Sequence, residues 1–214
     1  MSPPLRELLV ATRSAGKMRE IRRILAEVEG LRVLDLDEAG IAESPEEEDL
    51  ELFDTFEENA RSKARYFHAK SGLPTVADDS GIAVDALDGA PGVRSKRFAP
   101  AGLKGAAQDQ ANNRFLVEWL RNVPAAERTA RYVCVAVLVD GSGREILTRG
   151  EAEGRIVDEP RGSGGFGYDP HVLVPELGRT FAELTADEKD ARSHRGAAFR
   201  KLADELQRTA GPGA

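Results

Sequence analysis

The chain has 214 residues, 41% apolar and 31% charged, with 30 Lys+Arg against 37 Asp+Glu and a net charge of −7. A chain of this size can bury roughly 70% of its unfolded surface; the composition excludes disorder, and the charge excludes a broad basic field for nucleic acid but not a local phosphate site. No apolar run approaches the ~18–20 residues that cross a bilayer, Met1–Glu7 lacks the apolar stretch of a signal peptide, and the lone Cys134 forms no intrachain disulfide, which fits a cytoplasmic protein.

Leu8–Thr12 reads as a strand, Arg13–Gly16 as a turn, and from Lys17 a helical period places Ile21, Ile24, Leu25 and Val28 on one face. Leu31 to Leu36 reads as a second strand. Alternation of this kind predicts an α/β protein with a partly parallel sheet. Glu43 to Asp54 holds seven carboxylates and no base, a solvated loop with room for one or two metal ligands. Thr55 with Glu58 fits a capping box. The helix it starts carries a stripe of Phe56, Ala60, Ala64 and Phe67, with Asn59 and Lys63 on a neighbouring face. Ser71–Pro74 ends that helix, and Thr75–Ala77 reads as a buried strand running into Asp78-Asp79-Ser80-Gly81.

Ile82–Leu87 is a further candidate strand, followed by a turn-rich loop from Asp88 to Gly92. Gln108 to Arg121 is helical, with Phe115, Leu116, Trp119 and Leu120 on its apolar side. Tyr132–Val139 is the strongest strand, with Cys134 as core. Through Asp140–Gly143 it makes a hairpin with Glu145–Thr148. A glycine-dense loop, Gly162 to Pro170, precedes the strand Val172–Val174. Thr185 with Glu188 caps a last helix, interrupted near Gly196, with Ala198, Phe199, Leu202 and Leu206 inside. Residues 1–208 read as one domain of two merged lobes, and 209–214 as a flexible tail.

Four segments can carry chemistry. Thr12 to Lys17 lies between strand and helix, where free N–H groups and the helix dipole favour a phosphate. It is not a Walker A loop, because Ala11 and Met18 stand at two of the required positions. Asp78 and Asp79 end a strand where open α/β sheets bind ligands. Adjacent strand residues face opposite ways, so one Asp can serve a site while the other ties down backbone N–H groups. Phe166 among glycines can stack on a base, with Asp169 at a base edge. Lys189 and His194, five apart and so ~140° apart on one helix, can converge with Arg195 on a ligand. The plain alternatives are an ordinary turn, an Asx turn, a mobile glycine loop and an exposed histidine.

In chain order, Leu9–Thr12 with Gly16-Lys17, Thr55–Ala60 with Lys63-Ala64, Ala77–Gly81, Gly89–Val93 with Ser95 and Arg97, Gly164–Pro170, and Glu183–Thr185 with Glu188-Lys189 and Ser193–Gly196 together resemble the inosine triphosphatase family of purine nucleoside triphosphate pyrophosphatases. Its bacterial members are called dITP/XTP pyrophosphatases. The resemblance implies an elongated mixed sheet flanked by helices, with two lobes and a central active-site cleft. It implies hydrolysis of ITP, dITP or XTP to the monophosphate and pyrophosphate, dependence on Mg²⁺, and a cytoplasmic homodimer with no nucleic-acid or membrane partner.

By position, the resemblance makes Asp79 the general base and a metal ligand. Glu51 aligns without a gap as the second ligand, with Glu48 and Asp49 as alternatives. Thr12, Arg13, Ser14, Ala15, Gly16 and Lys17 form the first phosphate and nucleotide loop. Lys63 and Ser80 are substrate contacts, and Phe166, Gly167, Tyr168 and Asp169 form the base loop. Lys189, His194 and Arg195 complete the nucleotide contacts. Ser14 stands where the family usually has Asn, and Leu52-Phe53 where it usually has Thr-Gly. A pyrophosphatase acting on pyrimidine or standard nucleotides, and a sensor that binds without hydrolysing, are the alternative readings.

Overall fold

The computed structural model describes residues 6–100 and 102–208. β1 (Arg6–Val10) runs parallel to β2 (Leu31–Leu34) and to β3 (Thr75–Val84). Leu8, Leu9 and Val10 are all buried, as expected for a strand with parallel neighbours and both faces covered. With β4 (Thr129–Val139), β5 (Glu145–Ile156), β6 (Val172–Val174) and β7 (Arg179–Thr180), the order in the sheet is β2-β1-β3-β4-β5-β6-β7. β5–β6 and β6–β7 pair antiparallel, so the sheet is mixed.

The helices are α1 (Ala15–Leu25), α2 (Phe56–Ser71), α3 (Gly105–Leu120), α4 (Ala186–Arg192) and α5 (His194–Arg208). No helix among the described residues is long and apolar enough to cross a membrane. The chain divides into two compact units. In the first, residues 6–79, 134–150 and 195–208, Leu8 and Val10 of β1, Ile21 and Leu25 of α1, Cys134, Ala136 and Leu138 of β4 and Phe199 and Leu202 of α5 share one core. In the second, residues 80–133 and 151–194, the core joins Ile82, Leu116, Leu120, Ile156, Val172 and Phe181.

Several expectations change. Thr75–Ala77 and Ile82–Leu87 are not separate strands. β3 runs unbroken through both aspartates, which are buried. β5 extends to Ile156, far past Thr148. Trp119 leaves the core: it is 51% exposed and leans on Phe98 and Phe115, each with ring centroid 5.3 Å away. The last helix breaks at Ser193, which is extended at φ −72°, ψ 155°, and not at Gly196. Lys189 and His194 therefore stand on two helices. The tail from Thr209 lies outside the described residues.

Candidate functional site

The alternation of β3 sends its two aspartates to different partners. Asp78 Oδ2 lies 3.0 Å from Lys17 Nζ and 3.4 Å from Arg195. Arg195 in turn donates to Glu20 at 2.6 Å, and all but Lys17 are buried. Burial pulls the Asp78 carboxyl up, but Lys17, Arg195 and Lys63 outweigh it and hold the group well below the usual carboxylate range. Asp78 Oδ1 is buried without a hydrogen-bond partner among the described residues. Cys134 Sγ donates to Asp78 Oδ2 at 3.7 Å, and burial pushes this thiol far up, so it stays protonated and is no nucleophile.

Asp79 meets α2. Asn59 Nδ2 donates to Asp79 Oδ2 at 3.0 Å, while the same side chain holds the Phe53 C=O at 3.2 Å and its N–H at 3.0 Å. Lys63 Nζ lies 2.5 Å from Glu51, 2.6 Å from the Asp78 carbonyl and 3.8 Å from Asp79 Oδ1. Burial pushes the Asp79 carboxyl up, and Lys63 and Lys17 do not cancel it. For Lys63, burial works against the charge, but Glu51, Asp79 and Asp78 outweigh it and raise its pKa. Two carboxylates from separate segments thus answer one cation. Glu51 belongs to this cluster, whereas Glu48 and Asp49 are exposed.

The first loop is largely tied to itself. Thr12 Oγ1 accepts from Ser14 N–H at 3.2 Å, and Ser14 Oγ caps α1 by accepting from Lys17 N–H at 3.3 Å. Arg13 is held by Glu47 through two bonds, at 2.8 and 3.1 Å. Thr12, Arg13, Ser14 and Ala15 of the loop line a cavity of about 290 Å³ together with residues that include Arg19 and Asp37.

In the second unit, Asp169 is an organiser of the glycine loop. Its Oδ2 accepts from Phe166 N–H at 2.8 Å and from Lys189 Nζ at 2.6 Å, and its Oδ1 accepts from Tyr132 OH at 3.1 Å. The backbone gives way to this carboxylate at Gly165: φ is +72°, and an added Cβ would lie 2.0 Å from Asp169 Oδ2, so a side chain here would be strained and would displace the carboxylate. Lys189 Nζ stands 4.8 Å from the centroid of the Phe166 ring. The His194 ring stacks on Tyr132 at 4.6 Å and 12°. Tyr168 OH donates to the Ser95 carbonyl at 2.8 Å, so its ring is an anchor in the core. Ser80 is half-buried in β3.

Within the first unit, then, the structure gathers Lys17, Arg195 and Asp78 in one cluster, and Glu51, Lys63 and Asp79 in another. Within the second it gathers Phe166, Asp169 and Lys189, with His194 linked through Tyr132. Sequence reasoning gave no site role to Glu20, Asn59 or Tyr132. Only Asn59 carried a signal, since it lies one helical turn before Lys63 on the same side of α2.

The sequence model of the Ham1 family matches residues 8–205. A protein from Symbiobacterium thermophilum named dITP/XTP pyrophosphatase is 47% identical over 201 residues, 94% of this chain and 95% of its own. One of the same name from Nocardia farcinica is 50% identical over 198 residues, 91% of this chain and 92% of its own. Among solved structures, a HAM1 protein from Coxiella burnetii matches with a TM-score of 0.81 at 35% identity, covering 95% of this chain and 99% of its own.

Proposed function

The chain belongs to the Ham1 family, and on that premise we propose that it hydrolyses deaminated purine nucleoside triphosphates (XTP, ITP and dITP) to the monophosphate and pyrophosphate, so that they are not built into DNA or RNA. The observation that carries the reading is the division of labour between neighbouring aspartates. Asp78 is committed to a buried chain of ion pairs, while Asp79, with its pKa raised by burial, stays beside Asn59 and Lys63.

In this reading Asp79 takes the proton of a water aimed at the α-phosphorus. A buried carboxylate of raised pKa accepts a proton more readily than a surface one. Asn59 fixes the direction of Asp79 through Oδ2. Lys17, Lys63 and Arg195 offset the charge that passes to the leaving pyrophosphate. The N–H groups of Arg13, Ala15 and Gly16 take the phosphates, those of Thr12, Ser14 and Lys17 being bonded to Val10 and within the loop. The Ser14 hydroxyl already caps α1 at its N-terminus, so it serves the ligand chiefly by holding the loop.

Glu51 and Asp79 are the residues that would hold Mg²⁺. Both present hard oxygens to the Lys63 ammonium, a patch of negative charge suited to a cation. Two carboxylates match what Mg²⁺ takes when phosphate and water supply the rest. When bound, the ion supplies charge neutralisation at the phosphates and a more acidic water.

Phe166 gives the base a stacking face, with Gly167 and Tyr168 shaping the loop and Ser80 as a further contact. The Phe166 N–H is taken by Asp169, which leaves Lys189 and His194 as the proposed donors to the 6-oxo group. A site with donors for that oxygen and no acceptor for a 2-amino group leaves GTP with a buried, unpaired donor. That costs about 1–3 kcal/mol, roughly ten- to a hundredfold in selectivity. The proposed substrates belong to the cytoplasmic nucleotide pool, and a homodimer is part of the same reading.

A substrate panel tests it. At equal concentrations with Mg²⁺, ITP and XTP are expected to turn over roughly ten- to a hundredfold faster than GTP and ATP, with pyrophosphate and no orthophosphate released. Equal turnover of all four contradicts the reading, as does a preference for pyrimidine nucleotides or tight ITP binding with no pyrophosphate release.

A further inference from the structure

Two side chains of α3, which the proposed chemistry does not use, converge on one residue of the glycine loop. Asp109 Oδ2 accepts from Gly167 N–H at 3.1 Å, and Asn113 Nδ2 donates to Gly167 C=O at 2.9 Å. The two lie one helical turn apart on a 16-residue helix, so their spacing is fixed by a rigid element. Gly167 itself has φ +63°, a conformation that a loop rich in glycine does not hold unaided. Bonds to both its N–H and its C=O fix the peptide planes on either side of it, and with them the residue before, Phe166. Asn113 is buried, and its Oδ1 has no hydrogen-bond partner among the described residues.

We propose that Asp109 and Asn113 are positioning residues for nucleobase recognition: they clamp Gly167 to α3 so that the Phe166 ring is held ready for the base before the nucleotide arrives. The inference rests on the reading of Phe166 as the stacking face. Without the clamp, Asp169 still holds the Phe166 N–H, but the Gly167 peptides must be ordered at the moment of binding, and that cost falls on the affinity for the base. The reaction at the phosphates is untouched.

The test uses the full chain with ITP and Mg²⁺, and compares Asp109→Ala, Asn113→Ala and Asp109→Asn with the parent. In each alanine variant KM is expected to rise about tenfold, the equivalent of one good hydrogen bond to an ordered loop. kcat is expected to stay within about threefold, and product inhibition by pyrophosphate, which has no base, within about twofold. Asp109→Asn keeps an acceptor oxygen and is expected to hold KM within about threefold of the parent. Thermal melts identify any variant that has not folded, and the remaining alanine variant then decides. Unchanged KM in the folded alanine variants overturns the inference, and so does weakening of pyrophosphate inhibition by the same factor as KM. A parent that releases no pyrophosphate from ITP overturns the function reading instead, and the clamp with it.

Discussion

Asp79→Asn is expected to lower kcat on ITP by about 10²–10⁴-fold, the usual contribution of a positioned general base. The substitution keeps the shape of the side chain. An amide oxygen at this position can still accept from Asn59 Nδ2, which lies 3.0 Å from Asp79 Oδ2. What is lost is the ability to take a proton and the negative charge that faces Lys63 and Glu51. Loss of one charge from a cluster holding Glu51, Asp79 and Lys63 relieves repulsion between the two carboxylates, so the fold is not expected to suffer. Pyrophosphate release measured with excess Mg²⁺ checks the rate, and a thermal melt checks the fold. Turnover within threefold of the parent means that another group takes the proton.

Arg195→Met is expected to be the most destabilising single change around the site. The guanidinium is 2% exposed and lies between Glu20, at 2.6 Å, and Asp78, at 3.4 Å. Without it Glu20 loses this partner, and Asp78 keeps Lys17, at 3.0 Å, and the field of Lys63. Removing one partner from a buried ion pair typically costs about 3–5 kcal/mol. At this chain length that lowers the melting temperature by roughly 6–20 °C. Methionine fills similar volume, so the loss reports charge rather than a cavity. The effect is expected to persist at high salt, because buried pairs are screened far less than surface ones. A melt within 2 °C of the parent contradicts the view that this chain of charges supports the fold.

What was legible in the sequence follows from how local each signal is. α2 was readable because its cap, its apolar stripe and its terminating Gly72 all lie within one segment. The split between Asp78 and Asp79 followed from strand alternation alone, although the partners of Asp78 turned out to be side-chain cations and not backbone N–H groups. The unbroken course of β3 was not readable. Two aspartates followed by Ser-Gly look like a turn until Lys17, Arg195, Asn59 and Lys63 are seen to satisfy them. β5 was cut short because its inward positions beyond Thr148 are Gly150, Ala152 and Gly154, too small to read as a hydrophobic period. Gly154 explains the choice: a Cβ there would lie 2.6 Å from Val172 Cγ1, so the neighbouring strand needs the space.

The site residues divide in the same way. Lys63 and Asp79 could be placed by family resemblance, and the choice of Glu51 over Glu48 and Asp49 gained physical support only from the short contact to Lys63. Glu20 was invisible: its partner Arg195 is 175 residues further along the chain, and nothing local marks a glutamate in an amphipathic helix as buried. Asp169 was expected at a base edge, yet the partners the structure gives it are the loop, Lys189 and Tyr132.

In the proposed reaction water, directed by Asp79, attacks the innermost phosphorus of the nucleotide. Hydrolysis of ITP in water enriched in oxygen-18, with both products weighed by mass spectrometry, tests it directly. One labelled oxygen in inosine monophosphate and none in pyrophosphate is the result expected. Label in the pyrophosphate would place the attack on the next phosphorus and contradict the account.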